Sequence, residues 1–215
     1  MKIIDQSHEI LSLPNNTLET IEQAGRTCYK SQDKITPDSA IKFVTTLRDK
    51  GHHAMIEFGD MTVKFITNRG VTHEIVRHRM CSFAQESTRY VKYDGEMEFI
   101  RPVWADERWT GMTYKKLAKF HDVKEPDLLW ADACLKAEMS YKTLLDESWR
   151  PEQAREVLPN SLKTEIIVKA NIREWRHIFS LRCSKNAHPQ MRALMIPLLK
   201  ECKERLPIIF DQIIY

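Results

Sequence analysis

Met61-Thr62-Val63-Lys64-Phe65-Ile66-Thr67-Asn68-Arg69-Gly70-Val71 alternates apolar and polar side chains at first and then breaks at Asn-Arg-Gly. Alternation with period 2 belongs to a strand with one buried face. The turn leads into a helix expected to run from Val71 to about Arg79. The same change of period recurs later in the chain. Leu162, Thr164, Ile166, Val168 and Ala170 share one strand face, with Lys163, Glu165 and Lys169 opposite. Asn171 follows as a helix cap, with Glu174 three residues on, as in a capping box.

Around these two joints the other elements fall into place. A first strand is expected at 2–4 and a short helix at 17–29, with Thr17 and Thr20 competing as its cap. Thr36-Pro37-Asp38-Ser39 opens a further helix, which Lys50-Gly51 closes. After residue 79 the pattern predicts a loop, then extended segments near Tyr90 and at 97–101. Leu128, Ala131, Leu135, Met139, Leu145 and Trp149 mark a long helix across 127–149, and Pro151 starts a short one to 158. Met191, Leu194, Met195, Leu198, Leu199, Cys202 and Leu206 follow helical spacing, with Pro197 expected to kink or restart that helix. Strands and helices interleave without a βαβ rhythm. The expected class is therefore α+β, a mixed or antiparallel sheet flanked by helices with a helical C-terminal part, and not a Rossmann fold.

Composition narrows the function. The 215 residues carry 33 Lys+Arg against 30 Asp+Glu, a formal net charge of +3, with 42% hydrophobic and 29% charged residues. Such a mixture can bury a core, but it is too mildly basic for a protein that mainly coats nucleic acid. The length favours one domain, 1–215. No run of about 18 apolar residues suggests a spanning helix. Met1-Lys2-Ile3-Ile4-Asp5 lacks the apolar run of a signal peptide. Cys28, Cys81, Cys134, Cys183 and Cys202 are odd in number and form no C-x-x-C. They read as free thiols of a cytoplasmic protein. The six glycines are too scattered for G-x-G-x-x-G or G-x-x-x-x-G-K-[ST]. Any nucleotide must be held by side chains instead.

Arg77-His78-Arg79-Met80-Cys81-Ser82-Phe83-Ala84-Gln85-Glu86-Ser87-Thr88-Arg89-Tyr90 is rich in such side chains. In a helix ending near 79, Arg77 and Arg79 point to different sides. Arg79 and Arg89 are then placed to converge on an anion, for which the planar guanidinium fork is suited. Ser87 and Thr88 add hydroxyls. A second group comprises Arg155, Asn171, Arg173, His177 and Arg182. Asn171 and Arg182 are eleven residues apart, about three helical turns, and Arg173 and His177 are four apart. A capped helix presenting Asn, Arg and His suits a phosphate or a heterocycle. Residue types alone leave that reading level with charged helix ends on a solvated surface.

Arg77-His78-Arg79, seven residues and then Ser87 reproduce the R-H-R-x7-S signature of the flavin-dependent thymidylate synthases, a family this chain resembles. Gly51-His52, Pro151-Glu152-Gln153-Ala154-Arg155-x-x-Leu158-Pro159 and Asn171-x-Arg173-x-Trp175-x-His177-x-x-x-Leu181-Arg182 are similar to further landmarks of that family, in the same order. The likeness covers roughly residues 50 to 200.

The resemblance implies reductive methylation of dUMP to dTMP, a methyltransferase activity. Methylenetetrahydrofolate is the carbon donor, FAD the flavin and NADPH its reductant. It implies a homotetramer with shared active sites and no metal. By similarity, FAD contacts would include Arg77, His78, Arg79, Gln85, Asn171, Arg173 and His177. Those to dUMP would include Glu74, Arg77, Gln85, Glu86, Ser87, Thr88, Arg89, Arg155 and Arg182. His52 matches a histidine near flavin and folate, and Arg182 the residue that activates the uracil. Ser87 is assigned to substrate binding rather than nucleophilic attack, since its one local base, His78, would face the flavin. Three positions depart from relatives: Ala84 replaces Asn, while Glu74 and Gln85 exchange amide and carboxylate.

Rival readings are narrower. His73-Glu74-Ile75-Val76-Arg77 starts like H-E-x-x-H, but Arg77 takes the second ligand position. Cys81 beside His78 and Cys183 beside Arg182 suggest activated thiols, although lone cysteines are usually small buried hydrophobes. A non-catalytic nucleotide- or RNA-binding module using the arginines and five tryptophans is the alternative from another class. Trp130, Trp149 and Trp175 fit helix packing better than base stacking.

Overall fold

The structure is a computed structural model and describes residues 1–120 and 123–215. In chain order come β1 (Lys2–Ile4), β2 (Ser7–Ser12), α1 (Thr17–Cys28), α2 (Ser39–Asp49), β3 (Asp60–Asn68) and α3 (Arg69–Ile75). Next are β4 (Ser82–Gln85), β5 (Glu98–Ile100), α4 (Tyr114–Leu117), α5 (Glu125–Asp146) and α6 (Pro151–Ala154). The chain finishes with β6 (Lys163–Asn171), α7 (Ile172–Arg182), α8 (Pro189–Arg205) and α9 (Pro207–Phe210). β1 pairs with β5 in parallel, and a four-stranded sheet has the order β2-β3-β6-β4. This is the expected α+β class; the strand order is not that of a doubly wound sheet.

Two compact units divide the chain. The first comprises Met1–Ser7, Phe65–Arg77 and Ala84–Ile166. Its core gathers Ile3, Phe99, Trp109, Leu117, Ala131, Cys134, Tyr141 and Leu162, each at most 2% exposed. Fully burying an apolar side chain of this size contributes roughly 1.5–3 kcal/mol. Trp130 packs on this core and donates from Nε1 to Ser161 Oγ at 3.0 Å. Trp149 does not belong to α5: the helix stops at Asp146 and the indole is 46% exposed.

The second unit comprises His8–Lys64, His78–Phe83 and Ile167–Tyr215. Gly51 closes the α2 region with φ +73°, a left-handed turn that suits glycine. Gly59 is needed for space. A Cβ there would lie 2.7 Å from Thr17 Cγ2, and the Gly59 carbonyl accepts from Ile172 N at 2.9 Å. Trp175 and Phe179 face inward, both fully buried, as their spacing predicts. α8 runs unbroken through Pro197. The apolar positions on both sides, Leu194, Met195, Leu198 and Leu199, are all at most 2% exposed, so packing holds the helix across the missing hydrogen bond.

Three local expectations need correction. α3 ends at Ile75 instead of Arg79, with the Val76 N–H closing onto the Thr72 carbonyl and the Arg77 N–H onto that of Glu74. Arg77 and Arg79 therefore do not project from a helix. The expected loop after 79 contains β4, whose four residues are too few to stand out by periodicity. Tyr90 sits in a turn, not an extended segment: the N–H groups of Tyr90 and Val91 both donate to Ser87 O.

Candidate functional site

In the second unit the residues singled out by sequence gather around α7. Asn171 ends β6 and caps α7, its side chain accepting from Glu174 N at 2.8 Å. Only that half of the expected capping box is present, because the Glu174 carboxylate faces His78, with Oε1 3.5 Å from Nδ1. His78 is 6% exposed although arginines flank it in sequence. Its Nε2 lies 2.9 Å from Arg182 Nε. Arginine only donates, so Nε2 accepts and the proton of the neutral ring sits on Nδ1, toward Glu174. Burial, then the charges of Arg182 and His177, push the His78 pKa down to about 4. The ring is therefore neutral at neutral pH, and its Nε2 orients the Arg182 guanidinium.

His177 stands edge-on to His78, with ring centroids 6.0 Å apart. With Asn171, Arg173, Glu174, Met80 and Glu57, it lines a cleft of about 370 Å³. Arg173 Nη1 donates to Glu57 Oε1 at 2.6 Å, across 116 positions of sequence. Amide, guanidinium and imidazole donors beside an apolar Met80 form a donor set that fits a flavin, with its carbonyl-bearing ring and phosphate oxygens. Arg79 and His52 belong to the same unit and are exposed, outside the lining of this cleft.

The donor atoms of His78, Glu174 and His177 lie within 4.8 Å of one another, a spacing a divalent ion can span. However, Arg182 already occupies Nε2 of His78, and a dication would meet its guanidinium charge. The thiols are not activated. Burial, reinforced by the Glu174 charge, pushes Cys81 up to about 12, and burial does the same to Cys183. This agrees with reading both cysteines as unreactive packing residues rather than activated thiols.

The first unit holds a second set. Gln85 donates from Nε2 to Thr72 Oγ1 at 2.9 Å and to Thr164 Oγ1 at 3.3 Å. Thr72 spends its own proton on Arg69 O at 3.0 Å, which fixes the amide nitrogen inward and the Gln85 oxygen as the outward acceptor. Glu86 receives Tyr93 OH and, at 3.4 Å, Lys163 Nζ, which also reaches Glu165 at 2.7 Å. Arg155 Nη1 meets Thr88 Oγ1 at 3.4 Å, and Thr88 is 8% exposed. Arg89 is exposed, its guanidinium 5.3 Å from the Tyr90 ring centre, and Ser87 Oγ accepts from Arg89 N at 3.3 Å. Arg77 is exposed and Glu74 half-buried.

Several partners escaped sequence reading. Glu57, Tyr93 and Lys163 come from segments that carried no motif. Glu174 alone had a sequence signal, as the third residue of the presumed capping box.

The family described as thymidylate synthase complementing protein, Thy1, matches residues 9–208. A flavin-dependent thymidylate synthase of Corynebacterium aurimucosum is 34% identical over 196 residues, covering 89% of this chain and 78% of that protein. Another from Geobacter sulfurreducens is 33% identical over 194 residues, covering 87% and 78%. Among solved structures, the UMP/dUMP methylase PolB of Streptomyces cacaoi, bound with 5-Br dUMP, matches with a TM-score of 0.77 over 98% of this chain and 96% of that one. At 22% identity this is a likeness of fold.

Proposed function

Because the chain belongs to the thymidylate synthase complementing protein family, we propose that it is a flavin-dependent thymidylate synthase that methylates dUMP reductively to dTMP. FAD, NADPH and methylenetetrahydrofolate are its cofactor and co-substrates in this reading. It works as one catalytic domain that assembles as a cytoplasmic homotetramer. When bound, reduced FAD supplies the hydride. Asn171, Arg173 and His177 are the side chains that would hold it, with Arg77, His78, Arg79 and Gln85 as further family positions and His52 near flavin and folate.

The observation that carries the proposal is the fixed Arg182–His78–Glu174 arrangement on α7. C5 of uracil becomes nucleophilic only when electron density is pushed into the ring. A preoriented guanidinium beside N3 and its carbonyl stabilises the ionised ring, as fixed donors stabilise other developing anions. Arg182 takes that role. Arg89 and Arg155, with Ser87 and Thr88, would bind phosphate and ribose. Gln85 offers an acceptor, and Glu74, Arg77 and Glu86 complete the set.

Purified protein reconstituted with FAD should be yellow, with the absorbance near ~450 nm of an oxidised flavin. A colourless protein that resists reconstitution overturns the reading in favour of a nucleotide-binding module. Ser87→Ala tests the choice of a binding serine. It should raise KM for dUMP several-fold, on the order of one hydrogen bond's 0.5–1.5 kcal/mol, and leave turnover measurable. Complete loss of turnover with normal dUMP binding would make Ser87 the nucleophile.

A further inference from the structure

Helix α7 has a second flank. Arg173 and His177 form a ridge along it, and on the side away from Asn171 and Glu174 lies another cleft of about 460 Å³. Arg176, Ser180, His53, Gln212, Ile213 and Ile214 complete its lining. The two flanks differ in charge. The first cleft contains Glu57 and Glu174, whereas the second has no acid among its described lining residues.

Arg176 is the unusual member. It is half-buried, and among the described residues no carboxylate pairs with it: its Nη1 donates to the Ile209 carbonyl. Burial and the nearby Arg48 guanidinium, itself paired with Asp49 at 2.8 Å, depress its pKa. A half-buried cation without a counter-charge is unfavourable unless something neutralises it. The walls are anchored. Arg48 donates to Ile208 O, Lys203 Nζ to Ile213 O at 2.8 Å, and His53 Nε2 lies 3.3 Å from Arg48 O.

We propose that this cleft is a binding site for a phosphate monoester carried by an organic ligand, with Arg176 as its charge anchor. Arg173 is paired with Glu57 and Arg48 with Asp49, so Arg176 is the guanidinium an anion would complement, and it has donors beyond the one spent on Ile209. The cleft is larger than a phosphate needs, and Ile213 and Ile214 offer an apolar wall to the attached group. If the flavin reading above holds, on which this assignment alone rests, the ligand is the reductant, since NADPH differs from NADH by such a monoester.

The test is calorimetric titration of the FAD-loaded protein with adenosine 2′-monophosphate, using adenosine as the control. The phosphorylated probe should bind at least about tenfold more tightly, the lower end of a charge-assisted contact. Ser180→Asp, at an exposed position, would set a carboxylate against Arg176 and should abolish that advantage. Arg176→Gln should do the same while keeping a donor for Ile209 O. Equal binding of the two probes, or phosphate preference unchanged in a folded Ser180→Asp protein, overturns the site. So does loss of binding when FAD is loaded, which would make the cleft part of the flavin site. In flavin reduction, Ser180→Asp should raise KM for NADPH about tenfold and leave that for NADH unchanged; an equal change in both overturns the reductant assignment. The titration needs no turnover and the same pair of probes can be titrated into protein without FAD, so it remains decisive if the synthase reading fails.

Discussion

Replacing Arg182 by alanine is expected to lower tritium release from C5 of labelled dUMP by about 10²–10³-fold, the usual effect of removing one preorganised donor from a developing anion. The protein should stay yellow, because Asn171, Arg173 and His177 remain on α7. The size of the effect follows from how Arg182 is held. Its Nε is fixed on a ring that cannot carry the proton at neutral pH, since His78 has its pKa near 4. The guanidinium is therefore held in one orientation. Lysine would restore charge but not the planar fork or the second donor. Arg182→Lys should recover only part of the loss. A second readout belongs to the same substitution. Arg182 is one cause of the low His78 pKa, so the His78 ring should titrate at higher pH in Arg182→Ala, visible by NMR. Unchanged tritium release in a folded variant removes Arg182 from the activating role, whatever the flavin content.

Why this arrangement was only half legible in the sequence can be traced residue by residue. The joints were legible. Asn68 and Asn171 each end a strand with clear alternation and start a helix, and each accepts a backbone N–H three residues on at 2.8 Å. Short-range rules suffice there, because cap, turn and alternation all act within a few residues. The burial of His78 was not legible. Arginines on both sides argue for solvent, and what draws the ring inward is Arg182, 104 positions away. The end of α3 was misjudged for a related reason: no Gly or Pro follows Ile75 to stop the helix, so the stop is set by tertiary structure. Pro197 shows the reverse case, a local breaker overridden by the buried faces around it.

The electrostatics of α7 were similarly hidden. Read alone, Arg173, Arg176, His177 and Arg182 are four basic residues on one helix. Folding gives the three arginines different fates: Arg173 meets Glu57, Arg176 a carbonyl, and Arg182 a neutral imidazole. Charge counting reported the total, while the partners, none of them near in sequence, decide which charge is available for chemistry.

Trp175→Ala is expected to destabilise the protein by about 3–5 kcal/mol, the range for removing a buried Trp or Phe. The indole is fully buried, packs 5.7 Å from Phe179 and donates from Nε1 to Met61 O at 2.9 Å. Truncation leaves a cavity under α7 and removes the indole's hydrogen bond to Met61 O. At roughly 2–4 °C per kcal/mol for a chain of this size, the melting temperature should fall by about 6–20 °C. Because the same helix carries Asn171's partner Glu174, Arg173 and His177, flavin content should fall with it. Trp175→Phe separates the two contributions. It keeps most of the packing but loses the N–H, so it should cost about 0.5–1.5 kcal/mol for the lost hydrogen bond. Flavin content should then be near normal at low temperature. If Trp175→Ala melts within 2 °C of the parent and holds a full complement of FAD, α7 is not anchored through Trp175, and the rigidity ascribed to Arg182 comes from its own side-chain contacts, that to His78 among them.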